Sequence, residues 1–388
     1  MSVTQAQGFR ASGITAGIKA SGNPDLALVV NDGPLDVAAA VFTSNRFKAA
    51  PVLWSQQAVA DGQLKAVVLN SGGANACTGP GGFADTHHTA EHVADVLTNA
   101  GQEMGPGDVG VCSTGLIGER LPIGRLLAGV DVAATELSAG GGGAAAVAIM
   151  TTDTVPKVAS VSIEGFTVGG MAKGAGMLAP ALATMLVVVT TDAIVTPEQA
   201  DQALREACEL SFDRIDSDGC MSTNDTVFLL ASGASGVTPD PVVFVDAVTQ
   251  VCSDLARQLI ADAEGASKDI EIVVEQAHST DDALEVARAI ARSNLLKCAI
   301  HGQDPNWGRV LSAMGTTSAA FESDAVDVAI NGVWVCASGS IGESRDLVDL
   351  TGRQVRITVN LRAGQERATV WTNDLTADYV HENSAYAT

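Results

Sequence analysis

Residues 169–192 constrain this chain more than any other stretch. Gly169, Gly170, Gly174 and Gly176 lead to Pro180, and Thr184 then opens the unbroken apolar run Met185–Val189, closed by Thr190, Thr191 and Asp192. Glycine tolerates unusual dihedrals and proline restricts its neighbours. The chain therefore delivers one hydroxyl residue, through a Gly-rich loop, to the first position of a hydrophobic strand. Such a loop can hold the Ala183–Thr184 peptide in a strained geometry. The Thr184 hydroxyl can then attack the Ala183 carbonyl, and hydrolysis splits the chain. Cleavage would give Thr184 a free α-amine, with a reference pKa of ~7.7–8.0, near the ideal for a general base at neutral pH. One residue would supply both nucleophile and base. The same pattern also suits an ordinary buried strand start, because Gly followed by a strand is common turn punctuation.

Composition removes several function classes. The 388 residues are 46% hydrophobic, enough to fill a large core, so a disordered chain is excluded. The formal net charge is −23, from 22 Lys+Arg against 45 Asp+Glu. That opposes both a phosphate backbone and an anionic membrane surface as partner. The longest aliphatic run, near Met185–Val189, falls far short of the roughly 20 residues a membrane helix needs. No basic stretch followed by an apolar run opens the sequence, so no secretory signal is read. The expectation is a cytoplasmic protein with no nucleic acid and no membrane partner. Seven widely spaced Cys form no CxxC pair, which argues against a disulfide scaffold or structural zinc; most read as small buried hydrophobes.

Local patterns predict an α/β chain with mixed or antiparallel sheets. Strands are expected at Leu26–Val30, Ala38–Phe42, Ala66–Leu69, Val109–Cys112 and Val158–Ile163, and a helix over Asp85–Ala100. The Gly/Ala-rich segment Ser138–Ala146 reads as a flexible loop. Thr196-Pro197-Glu198-Gln199 reads as a capping box with Pro in the first turn, opening a helix with Ala200, Leu204, Ala207 and Leu210 on one face. Further helices are expected from Val242 to Asp262, ending before Gly265, and after the cap Ser279. Asn331-Gly332, between Val326–Ile330 and Val333–Cys336, signals a hairpin with a type I′ turn. Alternation at Val355, Ile357, Val359 and Leu361 predicts a half-buried strand, with Ala368–Trp371 as its expected partner.

Three apparent motifs do not hold. Gly174–Ala179 matches a dinucleotide fingerprint but is followed by Pro180 and a strand, where the fingerprint needs a helix. His88 and His92 share a helix spacing but lack a third ligand, so a solvated face is preferred and no metal site is expected. Asp216-Ser217-Asp218-Gly219 has Arg214 where a calcium loop needs its first ligand.

Several longer motifs lie outside these patterns: Asn70–Gly79 (Asn-Ser-Gly-Gly-Ala-Asn-Ala-Cys-Thr-Gly), Ser113–Gly118, Thr151–Lys157, the Lys173–Thr184 loop, Ser222–Thr226, Asp262–Gly265, Asp304–Arg309 and Glu382–Tyr386. Together they resemble the ornithine acetyltransferase (glutamate N-acetyltransferase) family of arginine biosynthesis, essentially end to end. The resemblance implies an α/β (α+β) fold of layered mixed sheets with helices, the self-cleaving, N-terminal-nucleophile-like (DmpA/ArgJ-like) fold. It implies cleavage between Ala183 and Thr184, with residues 1–183 as an α fragment and 184–388 as a β fragment, assembled as two of each. It implies transfer of the acetyl group of N-acetyl-ornithine to glutamate through an acetyl-Thr184 ester, with no cofactor; family members differ in whether acetyl-CoA is also a donor. Thr114 and Gly115 match its oxyanion-hole positions. Thr151, Lys173, Thr184, Glu264, Asn383 and Thr388 match its substrate contacts, with Thr152 competing for the role of Thr151. Lys173 would pair a carboxylate and Glu264 an ammonium. An aminopeptidase or amidase on the same self-processing scaffold is the rival reading. A third is a non-catalytic protein, which would stay intact.

Overall fold

The computed structural model describes residues 2–179 and 185–385. Ala183, Thr184 and Thr388 lie outside the described residues.

The chain runs β1 (Phe9–Ile14), β2 (Leu26–Asn31), β3 (Val37–Phe42), α1 (Ala50–Ala58), β4 (Ala66–Ser71), α2 (Gly79–Asn99), β5 (Val109–Thr114), α3 (Ile123–Thr135), α4 (Gly142–Ala148), β6 (Lys157–Ile163), β7 (Phe166–Lys173) and β8 (Leu186–Thr191). It continues with α5 (Pro197–Leu210), β9 (Thr226–Ala231), α6 (Pro241–Ala261), β10 (Asp269–Ala277), α7 (Thr280–Ala291), α8 (Asn294–His301) and α9 (Trp307–Met314). Last come β11 (Asp327–Ile330), β12 (Val333–Ala337), β13 (Ser340–Ile341), β14 (Gln354–Asn360), β15 (Glu366–Asn373) and α10 (Ala377–Ala385).

Three mixed sheets result, in the orders β1-β2-β4-β5, β3-β9-β8-β7-β6 and β13-β12-β11-β14-β10-β15. The first two stack face to face. Ala27, Val29, Val67 and Leu69 of one meet Ala38, Met171, Leu186, Val188, Phe228 and Leu230 of the other. Alternate residues of the same strands face helices. Leu26, Leu28 and Val30 pack with Val93 of α2 and Leu126 of α3; Val187 and Val189 pack with Leu204 of α5 and Val251 of α6. The first two sheets thus form a helix–sheet–sheet–helix sandwich. Both faces of β8 are buried, which is why its sequence is a continuous apolar run. The third sheet builds its own core with α7 and α9.

The expected strands all form, and β8 occupies the apolar run after Thr184. The capping box at Thr196 is present: Thr196 Oγ1 accepts from Gln199 N at 3.3 Å and Gln199 Oε1 accepts from Thr196 N at 2.9 Å. Asn331 and Gly332 have φ of 48° and 85°, as a type I′ turn requires. Two expectations fail. Ser138–Ala146 is not a flexible loop. Ser138 exchanges backbone hydrogen bonds of 3.0 Å with Ala11, and α4 follows with Ala145 and Ala146 buried. Its glycines serve close packing: a Cβ on Gly141 would sit 1.8 Å from the Ala11 carbonyl oxygen. In addition, β15 does not pair with β14, because β10 lies between them, parallel to β14 and antiparallel to β15. Alternation predicts a strand but carries no information about its neighbour.

Thr196→Ala should lower unfolding free energy by about 1 kcal/mol, the usual cost of losing a helix cap, with an unchanged urea m-value.

Candidate active site

The site is built where β5 of the first sheet and β7 and β8 of the second approach one another. β4 and β5 run parallel, and both end there, at Ser71 and Thr114. The chain leaving β4 folds back over β5: Gly73 N donates to Thr114 O at 2.9 Å, and Asn70 Nδ2 donates to Gly73 O at 3.1 Å. Ser113 Oγ donates to Asn70 Oδ1 at 2.6 Å. Asn224, just before β9, donates through Nδ2 to both Ala74 O (2.6 Å) and Ser113 O (2.8 Å). The Asn70–Gly79 motif is therefore a hydrogen-bonded frame around Thr114. Gly115 has φ of +131°, and a Cβ there would lie 2.5 Å from Gly73 N. Only glycine fits, and its peptide is fixed where β5 ends.

Lys173 ends β7 and is 1% exposed. Its Nζ crosses the gap between the sheets and donates to Thr114 Oγ1 at 3.2 Å. Burial pushes the Lys173 pKa down; Asp153, Asp225 and Glu264 oppose that fall, and Lys157 adds to it. Asp153 is the hub behind this lysine. Its Oδ1 accepts from Gly174 N (2.7 Å) and Lys157 Nζ (2.5 Å), and its Oδ2 accepts from Thr151 N (2.9 Å). Burial alone would raise the Asp153 pKa, but Lys173 and Lys157 hold it below the ordinary value. Lys157 is closed off by a second carboxylate, Asp262.

The Gly-rich loop is pinned on its way to residue 180. Ala175 O accepts from Glu264 N (2.9 Å), Met177 N donates to Asp218 Oδ2 (2.7 Å), and Leu178 O accepts from Ser217 N (2.5 Å). Beyond the undescribed residues, Met185 N donates to Asp225 Oδ1 at 3.1 Å. Glu264 Oε2 accepts from Asn383 Nδ2 at 2.9 Å, which ties α10 to the loop.

Thr114, Gly115 and Lys173 thus form one constellation, and Glu264 and Asn383 form a second, joined to it by the loop. The Thr151 amide is tied to Asp153, whose charge acts on Lys173. Sequence reasoning passed over Asp153, Lys157, Asn224 and Asp225 as site residues, although their motifs were visible. The Asp304–Arg309 run makes the α8–α9 corner: Asp304 N donates to Ala299 O at 2.8 Å, and the Arg309 guanidinium donates to Leu295 O. His92 pairs with Asp131, and Asp216 with Arg292. Of the seven Cys, four are buried, consistent with a packing role, and three are exposed.

The family model for the ArgJ family matches residues 10–388. The chain belongs to the ArgJ family. It is 66% identical over 387 residues to the arginine biosynthesis bifunctional protein ArgJ of Streptomyces coelicolor, with all of both chains covered. It is 64% identical to that of Thermobifida fusca over 388 residues, again with both chains fully covered. A solved Mycobacterium tuberculosis ornithine acetyltransferase complexed with ornithine is 60% identical, with a TM-score of 0.46 over 48% of this chain and 96% of that chain. The ArgJ protein of Bacillus halodurans is 36% identical, with a TM-score of 0.49 over 51% of this chain and 97% of that one. This ArgJ-family chain is thus an acyltransferase of arginine biosynthesis. None of the described helices is long and apolar enough to cross a membrane.

In this ArgJ-family enzyme Gly115→Ala should push the peptide that ends β5 off Gly73 and reduce activity about 10²-fold, the scale of a small misplacement in an active site. Gly118→Ala, at φ of +89° but facing open space, should cost far less. Steady-state kinetics on both variants checks the contrast.

Proposed function

We propose that the chain cuts itself between Ala183 and Thr184 and then moves the acetyl group of N2-acetyl-L-ornithine to L-glutamate through an acetyl-Thr184 ester. The observation that carries the proposal is the Lys173–Thr114 hydrogen bond beside Gly115. The Thr114 hydroxyl accepts from a buried ammonium, so its own proton is free to donate elsewhere. Polarised in this way, and desolvated, it is suited to an oxyanion. The Gly115 N–H is the second donor.

Cleavage begins with Thr184 Oγ attacking the Ala183 carbonyl carbon. The amide breaks to an ester, and water hydrolyses it. The freed α-amine then serves transfer. It takes the Oγ proton as Oγ attacks the acetyl carbonyl of N-acetyl-ornithine. Thr114 and Gly115 stabilise the tetrahedral oxyanion. Collapse expels the ornithine α-nitrogen, which takes the proton back. Glutamate's α-amino nitrogen attacks the ester and reverses the sequence, so Thr184 Oγ leaves with its proton restored. No cofactor enters these steps.

Glu264, held by Asn383, supplies the negative end of the site, and Lys173 the positive end. An amino acid carries both charges, so one cavity can take donor and acceptor in turn. Thr151 and the C-terminal Thr388 complete the substrate contacts by resemblance. The α and β fragments assembled two and two, and a cytoplasmic setting, belong to the same reading. Support also comes from the clamping of the chain on either side of residues 180–184, which suits a loop that must hold one peptide against one hydroxyl.

Intact-mass analysis of purified active enzyme should give two species, the second beginning at Thr184. A single 39.5 kDa species with full activity would overturn the proposal. Thr184→Ala should abolish both cleavage and transfer. Acetyl release that does not depend on glutamate would favour a hydrolase on this scaffold.

A further inference from the structure

Asp225 has no role in the steps above, yet its setting is unusual. It is fully buried at the end of the Ser222–Asp225 segment, immediately before β9. Oδ1 accepts from Met185 N at 3.1 Å, whereas Oδ2 has no hydrogen-bond partner among the described residues. A buried carboxylate oxygen with no partner is costly and calls for an explanation. The charge acting on Asp225 comes from Lys173 on β7, itself faced by Asp153, Lys157 and Glu264. Ser222 and Thr43 turn neutral hydroxyls towards it, but neither makes an ordinary hydrogen bond with Oδ2. From β8 it meets the Met185 amide. Burial pushes the Asp225 pKa well above its ordinary value, while that amide, the two hydroxyls and Lys173 pull it down; an ammonium freed at residue 184 would add to that pull and favour the carboxylate.

Met185 follows Thr184, so the α-nitrogen of residue 184 is three bonds from the amide that Asp225 already holds. The neighbouring Asn224 fixes Ala74 and Ser113 on the Thr114 side. One short segment therefore holds the oxyanion side with Asn224 and the start of β8 with Asp225.

We propose that Asp225 is a positioning residue for acyl transfer: Oδ1 fixes the Met185 amide, and Oδ2 accepts a hydrogen bond from the α-amino group freed at Thr184, orienting its lone pair towards the Thr184 hydroxyl. The inference rests on the self-cleavage proposed above.

Asp225→Asn is the test. Its amide oxygen can still accept from Met185 N, while a donor replaces Oδ2. A donor in place of an acceptor favours the neutral amine, so the sign is fixed. The acid limb of kcat should move to lower pH by about 0.5–1 unit, and kcat should fall about tenfold at its optimum. KM for N-acetyl-ornithine should stay within about twofold. A structural role alone would leave the limb in place, and an unmoved limb with wild-type kcat overturns the inference. If Asp225→Asn is insoluble or uncleaved, Asp225→Glu decides. Cleavage and transfer recovered with the acid support the role; loss of both in a folded Glu variant overturns it. The wild-type control separates the two proposals. An active but uncut wild-type chain removes the self-cleavage reading, whereas a cut, active wild type with an unmoved Asp225→Asn limb removes Asp225 alone.

Discussion

The buried ammonium of Lys173 organises the site. A lysine 1% exposed costs heavily unless it is hydrogen-bonded and faced by negative charge. It lies at one end of the two-sheet sandwich, where strand ends and loops converge. The Thr114 hydroxyl supplies the acceptor, and Asp153 and Glu264 supply the charge. Asp153, Asp225 and Glu264 each also hold the backbone of the loop or of the strand that follows it. Asp153 caps Gly174 N, Asp225 holds Met185 N, and Glu264 gives its own amide to Ala175 O. Charge compensation and loop placement are therefore one arrangement.

That coupling gives the Gly-rich loop its meaning. Glycine makes the chain permissive, and the contacts make it specific. Met177 takes φ of 55° while its N–H is bound by Asp218, a conformation that contacts must support in a residue other than glycine. On the oxyanion side, rigidity comes from the opposite device: neutral amides and hydroxyls of Asn70, Ser113 and Asn224 knit β5 to the β4 turn. A reaction that builds up negative charge near Thr114 would thus meet fixed dipoles, with little reorganisation required.

Much of this was legible locally. A continuous apolar run such as β8 is what a doubly buried strand needs, and the capping box at Thr196 and the Asn331-Gly332 turn are chemistry of adjacent residues. The motifs carrying Thr114, Lys173 and Glu264 identified the family. What stayed hidden depends on partners far apart in sequence. Nothing near Ser138–Ala146 says that Ala11 will pack against its glycines, so a packed turn and helix read as a loop. β15 alternates correctly for pairing, but the insertion of β10 beside β14 is a tertiary fact. Asp225 lies 40 residues from the Met185 amide it holds, and its buried, half-satisfied carboxylate appears only once the sheets are stacked.

The most direct test of the account is to trap the transferred group. Purified enzyme is mixed with N-acetyl-ornithine in the absence of glutamate, quenched in acid and examined by mass spectrometry with peptide mapping. The account predicts one acetyl group on the fragment that begins at Thr184, located on that residue as an ester and discharged when glutamate is added before the quench. Acetyl transfer to glutamate at the full rate with no acetylated enzyme, or with the acetyl group on any other side chain, would contradict it.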